Sequence, residues 1–145
     1  MGEFLEYRDR VRPEWIDYNG HLSEPFYVMV FGFATTNLMD RVGLDEAYRA
    51  ETGCSLYTVE AHVRYVAEVG PDADLHVTTF ALSVGAKKVW LCHELRVDDE
   101  VVATEELMAI HVSGSRAAPF PDHVADKLRR LLRPAPEYAG RSIGA

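Results

Sequence analysis

A chain of 145 residues, 48% of them hydrophobic, is one domain's worth of polypeptide with enough apolar side chains to bury a core. Asp and Glu outnumber Lys and Arg by 23 to 15, a formal charge of −8 at pH 7, which excludes a protein that tracks nucleic-acid phosphates by bulk charge. No apolar leader follows Met1, no run of about 18 apolar residues occurs, and the two cysteines, Cys54 and Cys92, show neither CxxC nor Cys/His ligand spacing. The sequence therefore predicts a soluble cytoplasmic protein, with no membrane span and with reduced core thiols.

In chain order, residues 4–12 (FLEYRDRVR) nearly alternate apolar and charged side chains and predict a strand, which Pro13 ends or confines to a sheet edge. The polar knot Asp17-Tyr18-Asn19-Gly20-His21 follows. It reads as a tight turn, because Gly20 supplies an unusual backbone angle and Asn19 tolerates one. Ser23 or Glu24 then caps a helix with Pro25 in its first turn, running to about Arg41 with Gly43 as its stop. Its apolar residues Phe26, Val30, Phe33, Leu38 and Met39, with Tyr27, Phe31 and Ala34 beside them, cover more than one stripe, so other structure is expected to enclose it.

A short helical piece, DEAYRAET, leads to a strand over residues 54–68, with Tyr57, Val59, Ala61, Val63 and Tyr65 expected on one face and Thr58, Glu60, His62 and Arg64 on the other. Alternating runs at 74–84, 86–97 and 101–113 complete an antiparallel meander. In the second of these, Val89, Leu91, His93 and Leu95 share a face opposite Lys88, Trp90, Cys92 and Glu94; Trp90 is either a subunit contact or a cover for the sheet within the chain. Residues 122–132 predict a short amphipathic helix that closes a single domain over 1–133, and 134–145 read as a loose tail. One strand, one long helix and four strands imply an α+β fold in which a five-stranded antiparallel sheet wraps a long central helix.

The knot sits where a helix begins. Free N–H groups and the dipole of a helix N-terminus polarise a carbonyl and stabilise an oxyanion, and Asp17 is the carboxylate placed to attack that carbonyl or activate water. The same residues also fit a turn in which Asp17 and Asn19 only cap and His21 packs on the helix. Cys92 and His93 are neighbours on a strand and point to opposite faces, so they cannot pair as nucleophile and base. His62, His76, His93 and His111 lie on four separate strands with no metal-ligand spacing, and no Gly-rich phosphate loop occurs.

Asp17-x-x-Gly20, followed by Pro25, Tyr27 and an apolar helix, resembles the opening of 4-hydroxybenzoyl-CoA-thioesterase-like hot-dog proteins, and the likeness spans residues 4–132. The segments WIDYNGHL, GCSLYTVEAHVRYVAEV and RAAPFP are further similar to the hot-dog thioesterases of carnitine breakdown, which hydrolyse betainyl-CoA. The resemblance implies a hot-dog acyl-CoA thioesterase, with coenzyme A entering only as part of the substrate and no other cofactor. It implies that Asp17 is nucleophile or general base and that the backbone amide of Glu24 donates to the thioester carbonyl. It also implies a homodimer or a dimer of dimers, with the acyl group held between subunits. Asn19-Gly20-His21 departs from the benzoyl-CoA pattern, leaving His21 to orient Asp17, touch substrate or only pack.

A trimethylammonium has no hydrogen-bond donor and is recognised by aromatic faces and carboxylates. Trp15, Tyr18, Tyr27, Phe31 and Tyr57 are the aromatic candidates, with Glu60 as the charge unless it pairs with Arg64. Lys87, Lys88 and Arg116 are the candidates for the CoA phosphates. A hot-dog hydratase, or a non-catalytic module holding an acyl-CoA or a quaternary ammonium, is the rival expectation.

Overall fold

A computed structural model describes residues 3–144. Strand β1 (Leu5–Arg10) is followed by a single 3-10 turn at Pro13–Trp15 and the long helix α1 (Glu24–Val42). Then come α2 (Glu46–Thr52), β2 (Cys54–Tyr65), β3 (Asp74–Val84), β4 (Lys88–Val97), β5 (Glu100–Ser113), the two-residue β6 (Arg116–Ala117) and α3 (Asp122–Arg130). The expected five strands form one antiparallel sheet in the order β1-β3-β4-β5-β2. β6, which alternation was too short to reveal, hooks back onto the end of β5 through Val112–Ala117 and Ser113–Arg116.

The helix ends follow from their residues. Ser23 is the N-cap of α1 but its side chain makes no capping hydrogen bond, and Pro25 occupies the first turn, where a missing N–H leaves nothing unpaired. Gly43 closes α1 in the left-handed region at φ 95°, with its N–H bonded to the Met39 carbonyl. The β4–β5 hairpin turns on Asp98 and Asp99, both at positive φ, the backbone signature of a tight hairpin turn whose twist matches its strands.

Helix α1 lies against the concave face of the sheet. Its buried residues Val30, Phe31, Ala34 and Leu38 sit between two apolar clusters, one around Val77, Leu95 and Ala103 and the other around Ala81, Leu91 and Leu107. Enclosure is incomplete: Val28 and Met29 remain exposed on the side of α1 facing away from the sheet. On β4 the expected faces hold, with Val89, Leu91, His93 and Leu95 all fully buried under the helix.

His93 is tied to both layers, its Nε2 lying 2.8 Å from Thr35 Oγ1 on α1 and its Nδ1 2.7 Å from Thr79 Oγ1 on β3. Thr35 already donates to the Phe31 carbonyl, so its oxygen accepts from Nε2–H and Thr79 donates to Nδ1. Burial drives the imidazole pKa down to about 3, and the neutral ring stacks on Phe31 at 5.8 Å.

Three expectations are corrected. A bulge between Thr58 and Glu60 interrupts β2. An extra residue reverses the side-chain phase, so Val63 and Tyr65 share the concave face with Ala61 while Tyr57, before the bulge, points to the convex one beside Ile110 and Lys88. The tail expected to be loose is seated across that convex face. Tyr138 donates to Glu94 Oε2 at 2.7 Å, its ring lies under the Arg64 guanidinium at 4.5 Å, and the Gly140 N–H bonds Glu106 at 2.8 Å. Gly140 also rests against Trp90, so part of the indole is covered from within the chain. Finally, Cys92 is buried, with its thiol pushed up to about 12 chiefly by desolvation, but Cys54 is only half-buried and lies outside the core.

Candidate active site

The polar knot folds as the sequence suggests and then docks on α1. Asp17 N–H bonds the His21 carbonyl at 2.9 Å and Gly20 N–H bonds the Asp17 carbonyl at 3.0 Å, with Gly20 at φ 83°. One carboxylate oxygen of Asp17, Oδ1, accepts from the Asn19 N–H at 2.9 Å and more weakly from the His21 N–H at 3.4 Å. Oδ2 makes no hydrogen bond to the knot. The capping role and a chemical role therefore fall on different atoms of one side chain.

Ser23 carries the chain into the helix, its N–H held by the Trp15 carbonyl at 2.9 Å. Phe26 N–H bonds the Ser23 carbonyl, and Pro25 has no N–H, which leaves Glu24 as a first-turn donor with no backbone partner among the described residues. That free N–H, at the positive end of a helix of 19 residues, is an oxyanion donor by position and by dipole.

An open cleft of about 520 Å³ runs beside this helix start, lined by Leu22, Glu24, Tyr27, Tyr65 and the segment Val66–Glu68. Tyr65 extends its hydroxyl to the Glu24 carbonyl at 3.4 Å and meets Tyr27 edge-on at 5.0 Å. Burial, then the charges of Glu24 and Glu105, raise the Tyr65 pKa. Burial, then Tyr65, Glu68 and Asp17, raise that of Tyr27. His21 turns to Glu68, Nε2 to Oε2 at 3.1 Å, rather than to Asp17.

Of the residues singled out from sequence, Glu24 and Tyr27 line this cleft, and Asp17, Asn19, Gly20 and His21 form the turn next to it, tied to it by His21–Glu68 and by the Asp17 charge acting on Tyr27. Others lie elsewhere. Trp15 is core, stacked on Phe26 at 5.7 Å and covered by Arg12 at 4.7 Å. Phe31 is fully buried against His93, and Tyr18 stands 98% exposed. Glu60 lines a separate cavity of about 260 Å³ on the convex face, with His62, Trp90 and Glu106. Arg64 reaches Thr104 and the Tyr138 ring instead of pairing with Glu60. Tyr57, Lys88 and Arg116 lie at the far end of the sheet, where Tyr57 and Lys88 flank Ile110 and Arg116 pairs with Ser113; Lys87, whose carbonyl accepts from His111 N–H, lies there too.

Sequence reasoning passed over Tyr65, Glu68 and Glu105. Tyr65 was legible as the last apolar position of its strand, but nothing local tied it to a helix start 41 residues earlier.

Fold and helix start together define a hot-dog thioester hydrolase: a sheet curled over one long helix, whose N-terminus presents a free amide and is entered from a turn that carries a carboxylate. Residues 11–128 match the thioesterase-like superfamily, and the chain belongs to that family. It is 40% identical to a betainyl-CoA thioesterase of Pseudomonas aeruginosa, over 95% of this chain and 92% of that one. It is 42% identical to an L-carnitine dehydrogenase/betainyl-CoA thioesterase of Agrobacterium fabrum, matching over 90% of this chain but spanning only 28% of that longer protein. A hypothetical protein of Staphylococcus aureus solved in complex with CoA shares the fold with a TM-score of 0.91 at 22% identity, over 100% of this chain and 97% of that one. Among the described residues no helix is long and apolar enough to cross a membrane.

Proposed function

We propose that this protein hydrolyses betainyl-CoA to glycine betaine and CoA, a step of carnitine degradation. The observation that carries the reading is the free Glu24 amide at the helix start that the Asp17 turn leads into, in a chain 40% identical to a betainyl-CoA thioesterase over nearly its whole length. The thioester carbonyl oxygen accepts from the Glu24 N–H. Asp17 Oδ2 either attacks the carbonyl carbon, giving a mixed anhydride that water opens, or takes a proton from the water that attacks. In both routes negative charge develops on the carbonyl oxygen against the helix N-terminus, the C–S bond breaks, and CoA leaves as its thiol after protonation. Glu68 holds His21 at the mouth of the cleft, so His21 positions the loop rather than Asp17.

The site is completed by a second copy. β2 is an edge strand with one pairing partner, yet it exposes Tyr57 (50%), Val59 (56%) and Tyr65 (45%), an apolar edge that an unpartnered sheet does not leave bare. Antiparallel pairing of β2 with the partner's β2 lays the far end of one sheet, with Tyr57, Lys87, Lys88 and Arg116, alongside Tyr65 and Glu24 of the other. The three basic side chains then reach the CoA phosphates from across a homodimer, alone or doubled into a dimer of dimers. Free Cys54 and Cys92 suit the reducing cytoplasm.

The test is thiol release from betainyl-CoA, acetyl-CoA, a medium-chain acyl-CoA and 4-hydroxybenzoyl-CoA, alongside sedimentation of wild type and Val59→Asp. Preference for betainyl-CoA by a dimer or larger assembly, with Val59→Asp monomeric and inactive, is the expected result. Turnover of another thioester with betainyl-CoA ignored would remove the carnitine assignment. No turnover at all would favour a binding module, and an active monomer would remove the shared site.

A further inference from the structure

One buried carboxylate is used by nothing described so far. Glu105 is 6% exposed, and on β5 it sits directly opposite His93 of β4 and Val63 of β2. It therefore points to the concave face, under α1, in a row that runs Leu5–Thr79–His93–Glu105–Val63 across all five strands. Its neighbours along β5 on that face are Ala103 and Leu107, one from each apolar cluster.

Among the described residues no cation or hydrogen-bond donor meets it. Desolvation alone governs its titration. The neighbouring His93 has both ring nitrogens committed to Thr35 and Thr79. Arg64, next on the adjacent strand, is turned to the opposite face, over Tyr138. Among the described residues no fully sealed side-chain oxygen lacks a partner, so the unpartnered Glu105 oxygens retain access to open space. Its link to the cleft is Tyr65, which lines the cleft wall. Tyr65, diagonal to Glu105 because its own partner is Ala103, is close enough for the Glu105 charge to raise its pKa, and Tyr65 packs edge-on against Tyr27 in the cleft wall.

A buried carboxylate without a partner is costly, and the chain could have avoided it with any apolar residue. Behind two tyrosine rings it forms a site for a cation that brings no hydrogen-bond donor of its own. Building on the betainyl-CoA reading above, we propose that Glu105 selects the acyl group by receiving its quaternary ammonium, with Tyr27 and Tyr65 supplying the aromatic wall. The role sought in Glu60 thus falls to Glu105, on the concave side of the sheet.

The test compares betainyl-CoA with 3,3-dimethylbutanoyl-CoA, which has the same shape with a carbon in place of the charged nitrogen. Glu105→Gln should lower kcat/KM for betainyl-CoA by about 30-fold or more, the scale of removing one member of a desolvated charge pair, and leave the neutral thioester within about threefold. Equal losses on both substrates, or no loss on either, would overturn the proposal. Wild type alone provides a second reading that needs no folded variant. The ratio of kcat/KM for betainyl-CoA over the neutral thioester should rise as pH increases through about 7, because Glu105, held near that value by burial, must ionise to attract the cation. Asp17 and His21 in the adjoining turn, Glu24, Glu68, Tyr27 and Tyr65 in the cleft wall and the neutral His93 in the row act on both substrates alike, so their contributions largely cancel in the ratio. A flat ratio would overturn the proposal. Wild type that hydrolysed only the neutral thioester would overturn the substrate reading itself, and this inference with it.

Discussion

Glu105 makes a measurable statement about stability that is independent of any substrate. Its carboxyl pKa stands at about 7 in the folded protein against 4.5 for the free side chain, because burial penalises the charge. The folded state thus holds this proton more tightly than the unfolded chain. Raising the pH from 4.5 through 7 favours the unfolded state, so the wild type loses stability over that window. Glu105→Gln cannot titrate and escapes the loss. Linkage between the two pKa values gives a wild-type penalty of about 1 kcal/mol at pH 5 and about 3 kcal/mol at pH 8.5, a difference on the order of 2 kcal/mol. Whatever the glutamine amide itself costs is the same at both pH values and drops out. Urea unfolding of both proteins at pH 5 and 8.5, at one fixed protein concentration, should show the variant gaining on wild type by about that difference. A gap independent of pH, or one that widens toward acid, would mean that Glu105 is solvated or paired, and the buried cation site would fall with it.

His93 should keep its Nε2–H tautomer and stay neutral throughout, because burial holds its pKa near 3; ring nitrogen chemical shifts unchanged between pH 8 and 5 would bear this out, and titration near 6.5 would contradict it. Because the unfolded imidazole takes up a proton near 6.5 and the buried one does not, this group removes stability progressively as the pH falls from about 6.5 toward 3. The tail is held chiefly by Tyr138, so deleting residues 134–145 should expose the Cys92 thiol, now buried with its pKa near 12, to a thiol reagent. Equal labelling of Cys92 in both forms would show that the tail does not shield it. Tyr138→Phe should keep the tail ring under Arg64 but lose the hydroxyl bonds to Glu94 and Cys92, costing about 1–2 kcal/mol in urea unfolding; no measurable cost would place the hydroxyl in water.

Much of the fold was legible because period and punctuation agree. The bounds of α1 were readable from Pro25 and Gly43, and β3, β4 and β5 from alternation between turn residues. The knot was readable as a turn for the same reason, since Asp17, Asn19 and Gly20 act on their own backbone. What was hidden depended on non-local geometry. The bulge at Thr58–Glu60 leaves the composition of β2 unchanged while rotating Tyr57 away from Val63 and Tyr65, so a face read from alternation alone was wrong for half the strand. Trp15 sits next to the knot in sequence, but Phe26 and Arg12 claim its ring. The tail looked unstructured because one aromatic, Tyr138, anchors it to partners 44 and 46 residues away, donating to Glu94 and accepting from Cys92. Glu105 did leave a trace: in phase with Ala103, Leu107 and Ala109, it is a charge written into the apolar face of a strand.

The account rests on Asp17 acting at the N-terminus of α1, and the most direct measurement is the steady-state rate of thiol release from betainyl-CoA by wild type and Asp17→Asn. Asparagine retains an oxygen to accept from the Asn19 N–H, so the knot should fold and thermal unfolding should shift little. Lost base or nucleophile function should lower kcat by about 100-fold or more. A variant that folds like wild type and keeps kcat within about twofold would contradict the account.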